Sequence, residues 1–117
     1  MAIHVEPRRT GEHIRSEESR SREEVTIAAG NLKPGTVLAK NASGDYVILN
    51  PTGSNGTNIV AGVLHSAVDA TEGPVRAVIH DMATEFVGEL LVWPEGITAP
   101  QKAIAISQIR ALNSKVR

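Results

Sequence analysis

Charge is spread so unevenly along this chain that it sets where a core can form. Eleven of the first twenty-four residues are charged, against fourteen of the ninety-three that follow. Burying an unpaired charge is costly, so apolar packing is confined to the second segment. The boundary falls near Val25, with residues 1–24 a charged N-terminal arm and residues 25–117 a domain. The stretch EHIRSEESRSREE at 12–24 contains Ile14 as its one strong hydrophobe, a composition suited to solvated coil or a marginal helix. Nearer the start, Ile3, Val5 and Pro7 alternate with polar residues, a short strand pattern that Pro7 ends or marks as an edge.

Aromatic side chains make up only 3% of the chain, so the core rests on Val, Ile, Leu and Ala. A chain of 117 residues corresponds to one domain, and without large rings it buries modest area. Association between subunits is a natural supplement. The net charge of −1 gives no reason to expect nucleic acid or an anionic membrane as partner. The absence of cysteine rules out a disulfide frame and thiolate chemistry. No signal-peptide apolar region stands at the front, and an apolar run such as Leu90-Leu91-Val92-Trp93, which no other run exceeds, is far too short to cross a bilayer.

From Val25 a period of two takes over. Val25, Ile27 and Ala29 alternate until Gly30-Asn31 breaks the run. Lys33-Pro34-Gly35-Thr36 has Pro and Gly at the central positions of a type II turn. Thr36–Ala39 and Tyr46–Leu49 read as the two strands of a hairpin across Asn41–Asp45. Ile59–Val68 is a further apolar stretch with Gly62 at a bulge, and Val75–Ile79 and Thr84–Trp93 read as strands. The period then changes. Thr98 or Ala99 caps, Pro100 suits the first helical position, and Ala105, Ile109, Leu112 and Val116 share a face that Ile104 and Ile106 widen. This predicts a helix from about 100 to 114. The fold class is mainly β: a small β-rich α+β domain of short strands and hairpins, one C-terminal helix and an extended N-terminal arm.

Chemistry-bearing groups are few. His4, His13, His65 and His80 show no metal-ligand spacing, and His80 and Asp81 point to opposite faces of a strand. Ser43, Asp45 and His65 form a triad only on paper, because Ser43 lies in a hairpin loop without a nucleophile elbow. His65 reads as a structural or interface residue. Glu85 and Glu89 share a solvated strand face. The loop Asn50–Asn58 contains Gly53 and Gly56 but no Lys-Ser/Thr pair to cradle a phosphate. Trp93, followed by Pro94, reads as a structural anchor. No catalytic, cofactor-binding or metal site is expected, and the residues point to a binding or structural protein rather than an enzyme.

Leu32-Lys-Pro-Gly-Thr-Val-Leu-Ala39, Gly44-Asp-Tyr-Val47, Val60-Ala-Gly-Val-Leu64, Val68-Asp-Ala70 and Leu91-Val-Trp-Pro-Glu95 precede an Ile/Ala-rich helix. In that order they resemble the head decoration protein family typified by bacteriophage lambda, over about residues 25–114. The resemblance implies a homotrimer that binds the major capsid protein at three-fold and quasi-three-fold positions of the expanded head. It would sit on the outer surface of the virion, after assembly in the host cytoplasm, and brace the shell against packaged DNA. The family's arms are flexible in isolation and add a strand to capsid β-structure. Here that implies Ala2, Ile3, His4, Val5, Glu6, Pro7, Arg8 and Arg9 as capsid-binding residues, with no cofactor, nucleic acid or membrane involved. The lambda-type arm is polar and rich in Ala, Pro and Gly, whereas this one carries eleven charges, which implies more electrostatic contacts. The alternative is a phage tail or other structural adaptor domain that self-assembles without binding the head.

Overall fold

The structure, a computed structural model, describes residues 13–17 and 21–117. Among the described residues, ten strands form two small sheets and a closed barrel. They are β1 (Ile14–Glu17), β2 (Arg22–Ile27), β3 (Asn31–Leu32), β4 (Val37–Lys40), β5 (Tyr46–Ile48), β6 (Val60–Leu64), β7 (Val68–Asp69), β8 (Val75–His80), β9 (Thr84–Phe86) and β10 (Lys115–Val116). An α-helix, α1, spans Ala99–Ala111. The barrel runs β2-β5-β4-β6-β8 and closes where β8 pairs antiparallel with β2, from Arg22 opposite His80 to Ile27 opposite Val75. Closure leaves no unpaired edge on this sheet.

Turn chemistry explains much of the chain path. Thr36 N–H donates to the Lys33 carbonyl at 3.2 Å and Gly35 takes a φ of +89°, as the Pro34-Gly35 turn requires. In the β4–β5 hairpin the Asn41 Oδ1 accepts the backbone N–H groups of Ser43 and Asp45, each at 3.0 Å. The bulge falls where Gly62 suggests it. Leu38 faces Gly62, Ala39 faces Val60, and Ala61 is the extra residue. A Cβ on Gly62 would sit 2.8 Å from Ile79 Cδ1 and 3.2 Å from the His80 carbonyl oxygen, so only glycine fits without movement.

Two apolar clusters share the barrel wall. Val25, Ile27, Leu32, Leu38, Tyr46, Leu64 and Ile79 belong to the first, inside the barrel. Val37, Ala39, Leu49, Val60, Val63, Phe86, Leu91, Ala105 and Ile109 form the second, between the barrel's outer wall and α1. Strand β4 is buried on both faces: Leu38 points inward, and Val37 and Ala39 point toward the helix. That is why it reads as an unbroken apolar run without polar alternation.

The helix begins with a capping box. Thr98 Oγ1 accepts from Gln101 N–H at 3.3 Å, and Gln101 Oε1 accepts from Thr98 N–H at 3.0 Å. Pro100 is the second residue inside. The helix ends at Ala111, short of the expected 114, because Asn113 turns left-handed at φ +58° and the chain leaves as β10. Ile104 does not widen the buried face and is 60% exposed. The expected strand Thr84–Trp93 divides in two. After Phe86 the chain forms a 3-10 turn at Gly88–Leu90, and Gly88 N–H donates to the Arg117 carbonyl at 2.7 Å. A Cβ at Gly88 would lie 3.0 Å from Val116 Cγ1, so β10 crosses too closely for a longer strand of bulkier residues.

Candidate functional site at the junction of the leading segment and the barrel

Residues 13–17 and 21–24 carry the charged leading segment onto the body. Strand β1 pairs antiparallel with β9, with Ile14 opposite Phe86 and Glu17 opposite Thr84, while β10 pairs parallel on the other side of β9. The boundary expected near Val25 lies inside β2. Arg22, Glu23 and Glu24 stay exposed while their backbones pair with β8, so a charged run extends a strand without burying charge. The expected capsid-binding residues Ala2–Arg9 lie outside the described residues.

Glu85, at the centre of β9, receives the Arg15 guanidinium at 3.5 Å and that of Arg117. Its face is therefore cross-linked rather than merely solvated, and Glu89, expected to share it, lies on the 3-10 turn. With both arginines about half exposed, each pair contributes less than about 1 kcal/mol and serves mainly to align β1 and β10 on β9.

Behind this sheet three of the four histidines meet. The fully buried His13 ring lies parallel to Phe86, with an interplanar angle of 4° and centroids 6.2 Å apart. His80 is edge-on to both rings at 6.3 Å. Its Nε2 is 2.9 Å from His65 Nδ1, and its Nδ1 is 3.4 Å from Ser21 Oγ and 3.5 Å from Thr84 Oγ1. His65 thus fills a structural role. Its ring nitrogen meets another imidazole, whereas Ser43 and Asp45 are tied by their backbones into the hairpin turn. Among the described residues no three His, Asp or Glu side chains are arranged to hold a metal ion, and no helix is long and apolar enough to cross a membrane. Sequence spacing offered no sign of the cluster; the only signal was neutral His13 and Ser21 punctuating a run of charge.

Just past the end of β8, Asp81 lies beside Glu23 of β2. Burial first, then the Glu23 hydrogen bond and charge, push the Asp81 carboxyl up to about 6. Because its folded value is raised, its contribution to stability is complete below the unfolded value near 4 and is lost as pH rises through about 6. Asp81→Asn is therefore expected to raise stability at about pH 8 and to leave it unchanged or lower at about pH 4. Solvent reaches the pair, so the gain is about 0.5–1 kcal/mol. Denaturant melts at the two pH values check it, and equal effects at both would refute the assignment.

Trp93 packs on the rim of the second core, with Lys102 Nζ 5.3 Å from its ring centroid. Its buried indole Nε1 has no hydrogen-bond partner among the described residues. Preceding it, Val92 bonds to the Pro34-Gly35 turn: Val92 N–H donates to the Gly35 carbonyl at 2.8 Å and Val37 N–H to the Val92 carbonyl at 3.0 Å. Pro94 follows at the rim of an open groove that also includes Ile48, Pro51 and Ile97.

The family model for the bacteriophage lambda head decoration protein D matches residues 3–114. The chain belongs to this family. No curated protein sequence matches it. The match spans the barrel, α1 and all of the leading segment from Ile3 onward, so the His13–His80 junction lies well inside the region shared with the family. This is a structural family of the phage head and not an enzyme family, which assigns the chain a capsid decoration role on the virion.

Proposed function

We propose that the chain binds the expanded phage head as a homotrimer at three-fold and quasi-three-fold positions, contacting the major capsid protein on the outer surface. Residues Ala2–Arg9 of each copy add a strand to capsid β-structure, and the three together brace the shell against the pressure of packaged DNA. The observation that carries this reading is the family match from residue 3 to residue 114, which takes in the leading segment together with the body.

Two features support it physically. The leading segment is paired through β1 to β9 and through β2 to β8 of the barrel, so a pull on that segment reaches both the small sheet and the best-paired strands of the fold. Ile104 and Ile59, 60% and 52% exposed, stand with Ile48 among the few large hydrophobes left uncovered on one copy. Ile104 and Pro51 line a cleft with Asn58, Gln101 and Gln108, an uncharged surface for association between copies.

The direct test mixes purified protein with expanded, undecorated heads and images them. Density at the three-fold positions, with a trimeric mass in solution, is expected. A hexamer or larger ring that leaves heads bare would favour the tail or adaptor reading. Salt supplies a further prediction. Arg8, Arg9, Arg15, Arg20 and Arg22 are the candidates for ion pairs with the shell, Arg15 in exchange for its contact with Glu85. Occupancy is expected to fall several-fold between roughly 0.05 and 0.5 M salt as these pairs are screened. A flat profile would remove the electrostatic part of the contact.

A further inference from the structure

We propose that the seam between β2 and β5 is a docking site for an extended, basic segment of the head shell, which adds as a strand against β2 at Glu24 and Thr26. The choice of the shell as the source rests on the decoration reading; the site itself is a property of the isolated chain.

Closure gives every barrel strand two neighbours, but β2 is held very unequally by its own. Toward β8 it makes six consecutive pairs, from Arg22 to Ile27, with no break in register. Toward β5 it makes one, Ile27 with Tyr46. Ala28 N–H donates to the Tyr46 carbonyl at 3.0 Å, which shows that the even-numbered residues turn their main-chain groups to the β5 side, since backbone direction alternates along a strand. The hairpin that carries β5 turns back at Asn41–Asp45, where Asn41 N–H donates to the Asp45 carbonyl at 2.8 Å, and follows β2 no further. Among the described residues, the N–H groups of Glu24 and Thr26 therefore have no acceptor. They lie two residues apart, about 7 Å, the repeat at which an adjacent strand presents its carbonyls.

An open notch of about 250 Å³ stands where that pairing is missing, with Glu24, Val25 and Thr26 on one side and Gly44 and Asp45 on the other. Arg76 borders it without closing it. Its guanidinium lies on the outer face of β2, donating to Glu24 Oε1 and Thr26 Oγ1 at 3.1 Å each and to the Glu24 carbonyl at 3.2 Å. That carbonyl keeps a second lone pair for an incoming N–H. Main-chain bonds of this kind supply affinity for any extended segment, and the flanking side chains supply the selection.

Charge decides which segment. Glu24 and Arg76 pair with each other, and Lys40 rests with its Nζ 5.8 Å from the Tyr46 ring centroid. Glu23 and Asp45 also line the notch and have no cation within ion-pair reach among the described residues, and Asp81 lies beside Glu23. Carboxylates crowd together here: burial first, then Glu23, raises the Asp81 carboxyl, and burial first, then the charges of Glu23 and Asp81, raises the Tyr46 hydroxyl. A lysine or arginine brought in on a strand relieves that repulsion, and an acidic strand adds to it.

Backbone deuterium uptake at Glu24 and Thr26 of the full chain tests the site, with Val37–Lys40 as the barrel reference. A synthetic peptide of alternating arginine and valine, added in excess, is expected to slow exchange at both amides at least about tenfold and to leave the reference unchanged. A peptide of alternating glutamate and valine is expected to leave both amides as they were. No protection by the basic peptide, or equal protection by the two, overturns the proposal. Protection that appears in the free chain as its own concentration rises assigns the seam to a second copy and also overturns it. On expanded heads the same two amides are expected to become protected; decorated heads on which they still exchange freely overturn the shell as occupant. Bare heads would sink the decoration reading instead, and the peptides then decide the seam by themselves.

Discussion

A chain shortened to begin at His13 is expected to fold as the full chain does but to bind expanded heads about 10²–10⁴ times more weakly. The figure follows from how little one arm contributes alone. Ordering the backbone of Ala2–Pro7 costs roughly 1–2 kcal/mol per residue. Main-chain hydrogen bonds to a capsid strand return about 0.5–1.5 kcal/mol each. Burying Ile3 and Val5 adds about 1.5–3 kcal/mol apiece. These amounts nearly cancel, so a single arm is close to break-even and binding comes from three arms acting at high effective concentration. The cut must fall at His13 and not at Val25. Removing residues 13–24 would also take away β1, the buried His13 and Ser21, and half of the β2 pairing with β8. Loss of binding would then report only an opened barrel. Imaging of head occupancy alongside a thermal melt separates the two, and undiminished occupancy with residues 1–12 gone would end the arm-as-clamp reading.

Phe86→Ala is expected to remove about 3–5 kcal/mol of folding stability. Phe86 is 1% exposed, is the chain's one phenylalanine, and is the point where three parts of the fold meet. It faces the second core, pairs with Ile14 of β1 and Val116 of β10, and lies against His13 and His80. A cavity there cannot easily collapse, because the surrounding backbone is fixed by the barrel wall and α1. Against a total stability of about 5–15 kcal/mol the loss is large. Denaturant unfolding followed by Trp93 fluorescence should show a lower midpoint with an unchanged slope. A loss below about 1 kcal/mol would mean that this cluster relaxes to fill the space and does not bind the sheet to the barrel.

Local features of the fold were legible from local signals. Pro34-Gly35, the Asn41–Asp45 loop, Gly62 at the bulge and the Thr98 cap each rest on backbone chemistry within a few residues, and each appears in the structure. The strand in residues 14–17 was hidden because composition was averaged over a long charged run, whereas pairing needs only backbone groups and one inward side chain, here Ile14. The 3-10 turn after Phe86 was hidden for the opposite reason: apolar residues 90–93 look like a strand, while the close approach of β10 to Gly88 is a contact that no local pattern reports.

By itself the sequence determined that the chain is β-rich, that its core is aliphatic, that a helix closes it, and which ordered motifs it shares with phage head decoration proteins. Those properties depend on residue type and short-range periodicity. The tertiary structure alone decided that β2 and β8 close a barrel, that residues 14–17 pair with β9, and that His13, His65 and His80 come together. These depend on contacts between residues dozens of positions apart, which no periodicity encodes. Arg22–Glu24 belong to a strand not for their own propensity but because β8 offers them a partner.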